Sequence, residues 1–210
     1  MATIEDLLSL SRIVPVIVID DSRHAIRLGE TLVEAGLPVA EVTLRTPDSW
    51  QAIENMLKVA GLEVGVGSVK RKSDIIRAKD LGVSFGVSPG FTDEVGQAAR
   101  DLGLNLIPGV STPSEIMSAS AAGFSVLKWF PAESLGGIST LKAISAPFPN
   151  LKFVPTGGIN AKNANDYLVV ECVAAVGGSW MVSRDNLKLG KFDEIKNETI
   201  AALELVGRKS

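Results

Sequence analysis

Leu81-Gly-Val-Ser-Phe-Gly-Val-Ser-Pro-Gly-Phe-Thr-Asp-Glu94 holds one unit of the chain's architecture. Gly82 follows the apolar end of a helical stretch, where a residue just past the helix takes a left-handed conformation that glycine adopts without steric cost. Residues 83–88 then run short and mostly apolar, as a strand covered on both faces does. Ser88-Pro89-Gly90 ends the run. Thr92-Asp93-Glu94 opens the next helix with a hydroxyl cap and with carboxylates where the helix dipole favours them.

The same punctuation recurs along the chain. Gly36, Gly61, Gly82, Gly103 and Gly123 each follow Leu or Ala and precede an apolar residue, at spacings of 25, 21, 21 and 20 residues. Each reads as the glycine after a helix that then turns into a strand. Ser22 to Gly36 carries Ala25, Leu28, Gly29, Leu32 and Val33 on one helical stripe. Thr112-Pro-Ser-Glu115 is a capping box with proline at the first helical position, and Ser73-Asp74 supplies a similar start. Strands are expected near 13–19, 38–44, 62–67, 83–88, 104–108, 124–129, 151–155 and 172–177. Eight strands, each followed by a helix, predict an α/β chain folded as a (β/α)8 TIM barrel, with a short helix over residues 3–10 ahead of it. An open doubly wound sheet is the alternative. A leucine-rich repeat shares the spacing but needs a Leu-x-x-Leu-x-Leu ladder that is absent. With no linker or low-complexity stretch, residues 1–210 read as a single domain.

Composition removes whole classes of function. Hydrophobic residues make up 46% and charged ones 21%, which excludes a disordered chain. Lys and Arg number 21 against 24 Asp and Glu, a net charge of -3 that leaves no electrostatic footprint for nucleic acid. One Cys (Cys172) allows no intrachain disulfide and suits a reducing compartment. One His (His24) leaves no Cys/His zinc cage, and nothing near it resembles a nucleophile elbow. His24 reads as a surface residue and Cys172 as inert core. The longest apolar run, Ile13 to Ile19, is far too short for a membrane span, and Met1-Ala-Thr-Ile-Glu-Asp6 is acidic where a secretory signal is basic. The chain reads as cytoplasmic, with neither membrane nor nucleic acid as partner.

In such barrels chemistry occupies the C-terminal ends of the strands, and the unusual residues collect there. Strand two carries Glu41 and ends in Arg45, strand three ends Gly67-Ser68, and strand six carries Lys128. Strand seven ends Pro155-Thr-Gly-Gly158 and strand eight ends Gly177-Gly-Ser179. A desolvated lysine loses part of its preference for the charged form, and the neutral amine is a nucleophile for carbonyls. Lys128 therefore reads either as that nucleophile or as a rim lysine paired with a carboxylate. Glu41 is costly among apolar residues unless paired, so it either neutralises Lys128 or Arg45 or moves protons around a lysine adduct. Arg45 suits a substrate carboxylate or a rim salt bridge. The two Gly-Gly pairs, with Ser179 after the second, suit a phosphate cradle or plain turns. Phe130 joins the candidates as the neighbour of Lys128.

Taken in order, Glu41-Val-Thr-Leu-Arg45, Ser88-Pro-Gly90, Ile107-Pro-Gly-Val-Ser-Thr112, Lys128-Trp-Phe-Pro-Ala-Glu133, Pro155-Thr-Gly-Gly-Ile159 and Gly177-Gly-Ser-Trp180 resemble the 2-keto-3-deoxy-6-phosphogluconate (KDPG) and 4-hydroxy-2-oxoglutarate (KHG) aldolases. The resemblance implies a metal-free, cofactor-free (β/α)8 barrel, usually a homotrimer, that forms a Schiff base and cleaves small 2-keto acids to pyruvate and an aldehyde. It makes Lys128 the Schiff-base lysine and Glu41 the general acid/base. Arg45 and the Ser68 hydroxyl would hold the pyruvate carboxylate, Pro89 and Phe130 would line the pocket, and Thr156 would govern the face of the aldehyde. Gly157, Gly158, Gly178 and Ser179 would bind phosphate.

Two positions depart from that pattern. Ser68 stands where the family usually has Thr, keeping the hydroxyl but losing the methyl that limits its rotamers. Trp129 stands where a smaller aromatic is common, on a face expected to pack against helices. Lys70-Arg-Lys72, after strand three, puts three cations on the active-site side, either to attract polyanionic substrates or as a solvated loop. The rival readings are a phosphosugar isomerase or synthase and a non-catalytic phosphometabolite-binding protein. Neither has a use for both Lys128 and Glu41.

Overall fold

The computed structural model describes residues 4–9 and 11–207. Helix α1 (Ile4–Ser9) precedes the barrel and buries Leu7 and Leu8; residues 3 and 10 of the expected helix lie outside the described residues. The strands are β1 (Ile13–Ile17), β2 (Val39–Thr43), β3 (Glu63–Gly67), β4 (Phe85–Val87), β5 (Leu106–Ile107), β6 (Gly109–Val110), β7 (Val126–Trp129), β8 (Lys152–Pro155) and β9 (Val176–Gly178). Between them run α2 (Ala25–Ala35), α3 (Ser49–Met56), α4 (Lys72–Leu81), α5 (Asp93–Leu102), α6 (Pro113–Ala121), α7 (Gly137–Ser145) and α8 (Ala164–Leu168). Helices α9 (Arg184–Lys188) and α10 (Phe192–Leu205) follow β9.

All ladder pairings are parallel, in the orders β5-β4-β3-β2-β1-β9 and β6-β7-β8. The two sheets meet at two seams. At one, Pro108 separates β5 from β6; it has no N–H to donate, but its carbonyl accepts from the Lys128 N–H at 2.8 Å. The broken strand thus passes from β4 to β7. At the other, single bridges Phe153↔Val173 and Thr156↔Gly177 join β8 to the last strand. The result is an eight-position (β/α)8 barrel whose regular ladders stop at two places. Consistent with helices on every side, strands β1, β2, β4, β7 and β9 are buried at every residue.

The helix ends follow local chemistry. Thr112 Oγ1 accepts from the Glu115 N–H at 3.3 Å while the Glu115 carboxylate accepts from the Thr112 N–H at 3.0 Å, closing the box around Pro113. Gly36 ends α2 at φ 85°, its N–H reaching Leu32 and Val33 carbonyls.

Several sequence expectations shift. Strand five is two short pieces rather than 104–108, because of Pro108. The last strand is Val176–Gly178 rather than 172–177; Val173 N–H turns back to the Val170 carbonyl at 2.9 Å, so only one bridge forms there. Cys172 accordingly lies ahead of the strand and is half-buried, with its thiol 3.4 Å from Ser145 Oγ. Helix α4 begins at Lys72 with Arg71 as its cap, two residues earlier than Ser73-Asp74 suggests, because Asp74 accepts from the Lys70 and Arg71 N–H groups. Gly61 closes a turn beyond α3, which ends at Met56. Val33 is only partly buried, its expected place on the stripe being taken by Thr31 and Ala35.

Candidate active site

Lys128 in β7 and Glu41 in β2 lie on strands that are not neighbours, yet their charged ends are 3.5 Å apart. They can meet only across the barrel interior. Both are buried, 4% and 3% exposed. Glu41 Oε1 makes no hydrogen bond within the protein, so the contact with Lys128 is an ion pair too long and poorly aligned to count as one. A buried carboxylate oxygen in that state has a lone pair free for a substrate hydroxyl or a water. Lys128 Nζ also sits 5.2 Å from the Phe130 ring centroid.

Glycines make the room. Gly67 in β3 lies above Gly65, which pairs with Glu41, and a Cβ on Gly67 would fall 2.3 Å from Glu41 Oε1. Gly177 is bridged to Thr156, and a Cβ there would fall 2.4 Å from Thr156 Oγ1. Thr156 itself is buried beside the β8 end, its hydroxyl donating to the Val154 carbonyl at 3.3 Å. Because Lys128 pairs with Val154, the two-residue step puts Thr156 on the same inner face. Trp129, one residue on from Lys128, faces the other way and is wholly buried on the helix side.

Arg45 and Ser68 are brought together. The ladder between β2 and β3 runs one residue past the strands, with the Leu44 N–H on the Gly67 carbonyl at 2.9 Å. That places the exposed Arg45 guanidinium beside Ser68, Nε donating to Oγ at 3.3 Å. Ser68 holds φ 59°, a left-handed conformation that costs a β-branched residue more than a serine. Pro89 is exposed at the β4 end, its carbonyl against Gly109, where a Cβ would lie 2.3 Å away. Gly157 and Gly158 leave β8 at φ 96° and 83°. Gly178 is buried under the Trp180 ring, and Ser179 is exposed after it.

On the rim, Asp20 accepts from Arg184 at 2.5 and 2.7 Å, with Lys188 at 3.4 Å. The Arg184 hydrogen bonds, and after them its charge and that of Lys188, hold the Asp20 carboxyl down at about 2. Among the described residues no three His, Cys, Asp or Glu side chains gather into a group that could hold a metal ion.

A family profile described as KDPG and KHG aldolase matches residues 4–198. The chain belongs to that family. The KHG/KDPG aldolase of Escherichia coli K12 is 40% identical to it over 201 residues, 95% of this chain and 94% of that protein. A solved KDPG aldolase from Legionella pneumophila, with pyruvate captured as a covalent carbinolamine, matches at TM-score 0.91 and 39% identity, covering 94% of this chain and 97% of that one. A Zymomonas mobilis KDPG aldolase solved with 3-phosphoglycerate matches at TM-score 0.88 and 37% identity, over 93% and 92% of the chains. The aldolase is thus an enzyme, a carbon–carbon lyase of the Schiff-base type on a TIM barrel.

The sequence names Gly67 and Gly177 only as strand ends and Glu133 only within a motif, without the packing roles they have in the aldolase, and does not single out Tyr167. Gly67 and Gly177 make room for Glu41 and Thr156, and glycine inside a strand was the signal for such close approach. The hydrogen bond that joins Glu133 to Tyr167 behind the Gly157-Gly158 loop carried no signal, since the two are 34 residues apart.

Proposed function

We propose that the aldolase cleaves 2-keto-3-deoxy-6-phosphogluconate to pyruvate and glyceraldehyde 3-phosphate, and 4-hydroxy-2-oxoglutarate to pyruvate and glyoxylate, through a Schiff base on Lys128. The observation that carries this is the buried Lys128–Glu41 pair, 3.5 Å apart with one carboxylate oxygen free of protein hydrogen bonds. No other reading of the barrel needs a nucleophilic amine beside a proton carrier in a water-poor interior.

Lys128 passes a proton to Glu41 and attacks the C2 ketone as the neutral amine; Glu41 returns that proton to the carbinolamine hydroxyl, which leaves as water to give an iminium. Glu41, directly or through a water, takes the C4 hydroxyl proton. The C3–C4 bond then breaks, its electron pair moving into the C2–N system as an enamine while the aldehyde leaves. Glu41 returns the proton to C3, and hydrolysis of the iminium frees pyruvate and the lysine. Arg45 and Ser68 hold the carboxylate next to C2, Pro89 and Phe130 wall the pocket, and Thr156 orients the aldehyde. Gly157, Gly158, Gly178 and Ser179 receive the phosphate.

The same reading takes residues 1–210 as one aldolase domain, cytoplasmic and homotrimeric. Among the described residues no helix is long and apolar enough to cross a membrane. Light scattering checks the trimer, with a solution mass three times that of one chain expected. The chemistry is tested by borohydride reduction in the presence of pyruvate, followed by peptide mass mapping. A lactyl-type adduct on Lys128 is expected; an adduct on another lysine discards the site, and none at all from folded protein discards the imine. Lys128→Met is expected to lower kcat by at least about a thousandfold, because the carbanion left by C3–C4 cleavage then has no electron sink.

A further inference from the structure

We propose that Glu133 is a positioning residue, which, locked by the Tyr167 hydroxyl, sets the Gly157-Gly158 loop for the phosphate of the substrate. The inference rests on the reading of that loop as the phosphate site and adds the residues that shape it.

An anion-binding loop must present N–H groups and keep its carbonyls turned away, since a carbonyl facing phosphate repels it. Here both carbonyls are engaged by protein donors. The Gly157 carbonyl accepts from the Glu133 N–H at 3.0 Å, next to a parallel bond from the Ala132 N–H to the Thr156 carbonyl at 2.8 Å. The Gly158 carbonyl accepts from the Asn160 and Asn163 side chains, both at 3.1 Å. The Glu133 side chain lies against the loop. Its Cγ and Cβ occupy points 2.5 and 2.6 Å from where a Cβ on Gly158 would be, so loop and glutamate fit only with glycine there.

The carboxylate of Glu133 does not face the phosphate as a free charge. It accepts from the hydroxyl of Tyr167, a fully buried side chain on α8, and lies over Gly137 at the start of α7, 3.2 Å from where a Cβ would be. Burial, and after it the Glu133 carboxylate, push the Tyr167 phenol well above its usual range, so the phenol keeps its proton and the direction of the bond is fixed. Glu133 is thereby tied to the loop by its backbone and to the barrel by its side chain. Phe130 and Lys128 lie at the other end of the same segment, so Lys128 and Glu133 are linked through four intervening residues.

The test uses Tyr167→Phe, Glu133→Gln and Glu133→Ala in the intact enzyme. KM and kcat are measured for the phosphorylated keto acid and for 4-hydroxy-2-oxoglutarate, and inorganic phosphate is used as a competing probe. Tyr167→Phe and Glu133→Ala are expected to raise KM for the phosphorylated substrate and the inhibition constant of inorganic phosphate by about tenfold. The KM for 4-hydroxy-2-oxoglutarate should move less than about twofold, and Glu133→Gln, which keeps an acceptor for Tyr167, should recover most of the loss. Equal losses on both substrates would mark Glu133 as a general prop and overturn the proposal. So would unchanged phosphate inhibition in all three variants. If inorganic phosphate fails to compete even in the parent enzyme, the phosphate site itself is elsewhere and both readings fall together.

Discussion

At the scale of single residues, the active site depends on side chains that are missing. Gly67 has no positive φ to require it; it is glycine because Glu41 fills the space its Cβ would take. Gly67→Ala therefore leaves the backbone unstrained but pushes the carboxylate away from Lys128 and the C4 hydroxyl. A misplacement of about 1 Å costs proton transfer on the order of a hundredfold, so kcat should fall by about that much while KM changes little. Steady-state kinetics on protein with an unchanged melting curve checks this; a full-rate variant would mean Glu41 is not the proton carrier. Ser68 poses the opposite case. Its hydroxyl receives Arg45 at 3.3 Å from a left-handed backbone. If Ser68 anchors the carboxylate as proposed, Ser68→Ala should raise KM severalfold for either keto acid with kcat nearly constant, because the imine chemistry is left intact.

At the scale of elements, what is local in sequence was legible and what is tertiary was not. The start of α6 could be read from Thr112-Pro-Ser-Glu115 because every hydrogen bond in the cap stays within five residues. The last strand was misplaced because Cys172 and Val173 look like strand residues, and only the turn that carries Val173 back to Val170 shows otherwise. Both rim and cap carry a pH signature. Burial pushes the Glu115 carboxyl up, but bonds from the Ser111 N–H and hydroxyl and from Thr112 outweigh it and hold the group below its usual range. Asp20 is held at about 2, against an ordinary 3.8, by Arg184 and then Lys188. A depressed carboxyl stabilises the fold fully above its unfolded value and loses that as pH falls through its folded value. For Asp20 the window runs from 3.8 down to about 2. Asp20→Asn should flatten the fall of Tm across that window and meet the parent at its acid end, so its neutral-pH Tm should be lower by the same amount, a small one because the pair is on the surface. Thr112→Ala should cost about 1 kcal/mol at pH 7 in denaturant unfolding, the usual worth of a hydroxyl cap.

At the scale of the whole molecule, the barrel could be read because glycine spacing and apolar strands repeat, whereas the site assembles from strands that are distant in sequence. Lys128 and Glu41 stood out as charges where both faces should be covered, and the barrel then brings them together. The supports at Gly67, Glu133 and Tyr167 follow from register and loop packing, which no single stretch encodes. Charge distribution is a property of the molecule too. With a net charge of -3 the chain as a whole repels a polyanionic substrate. Lys70, Arg71 and Lys72 are exposed at the C-terminal end of β3, on the side that carries Arg45 and Ser68, and Asp74 caps α4 through the Lys70 and Arg71 backbones. Replacing the three with glutamine leaves that cap in place. The parent enzyme's kcat/KM for the phosphorylated substrate should fall as salt rises toward about 0.15 M, where the screening length is roughly 8 Å. The triple variant should start lower and show a shallower fall. Replacing Lys58, Lys142 and Lys152, which lie toward the N-terminal ends of the strands, makes the same change in net charge and should keep the parent's slope. If the two triple variants behave alike, the field of the whole chain sets the rate and the cluster beside β3 is an ordinary solvated loop.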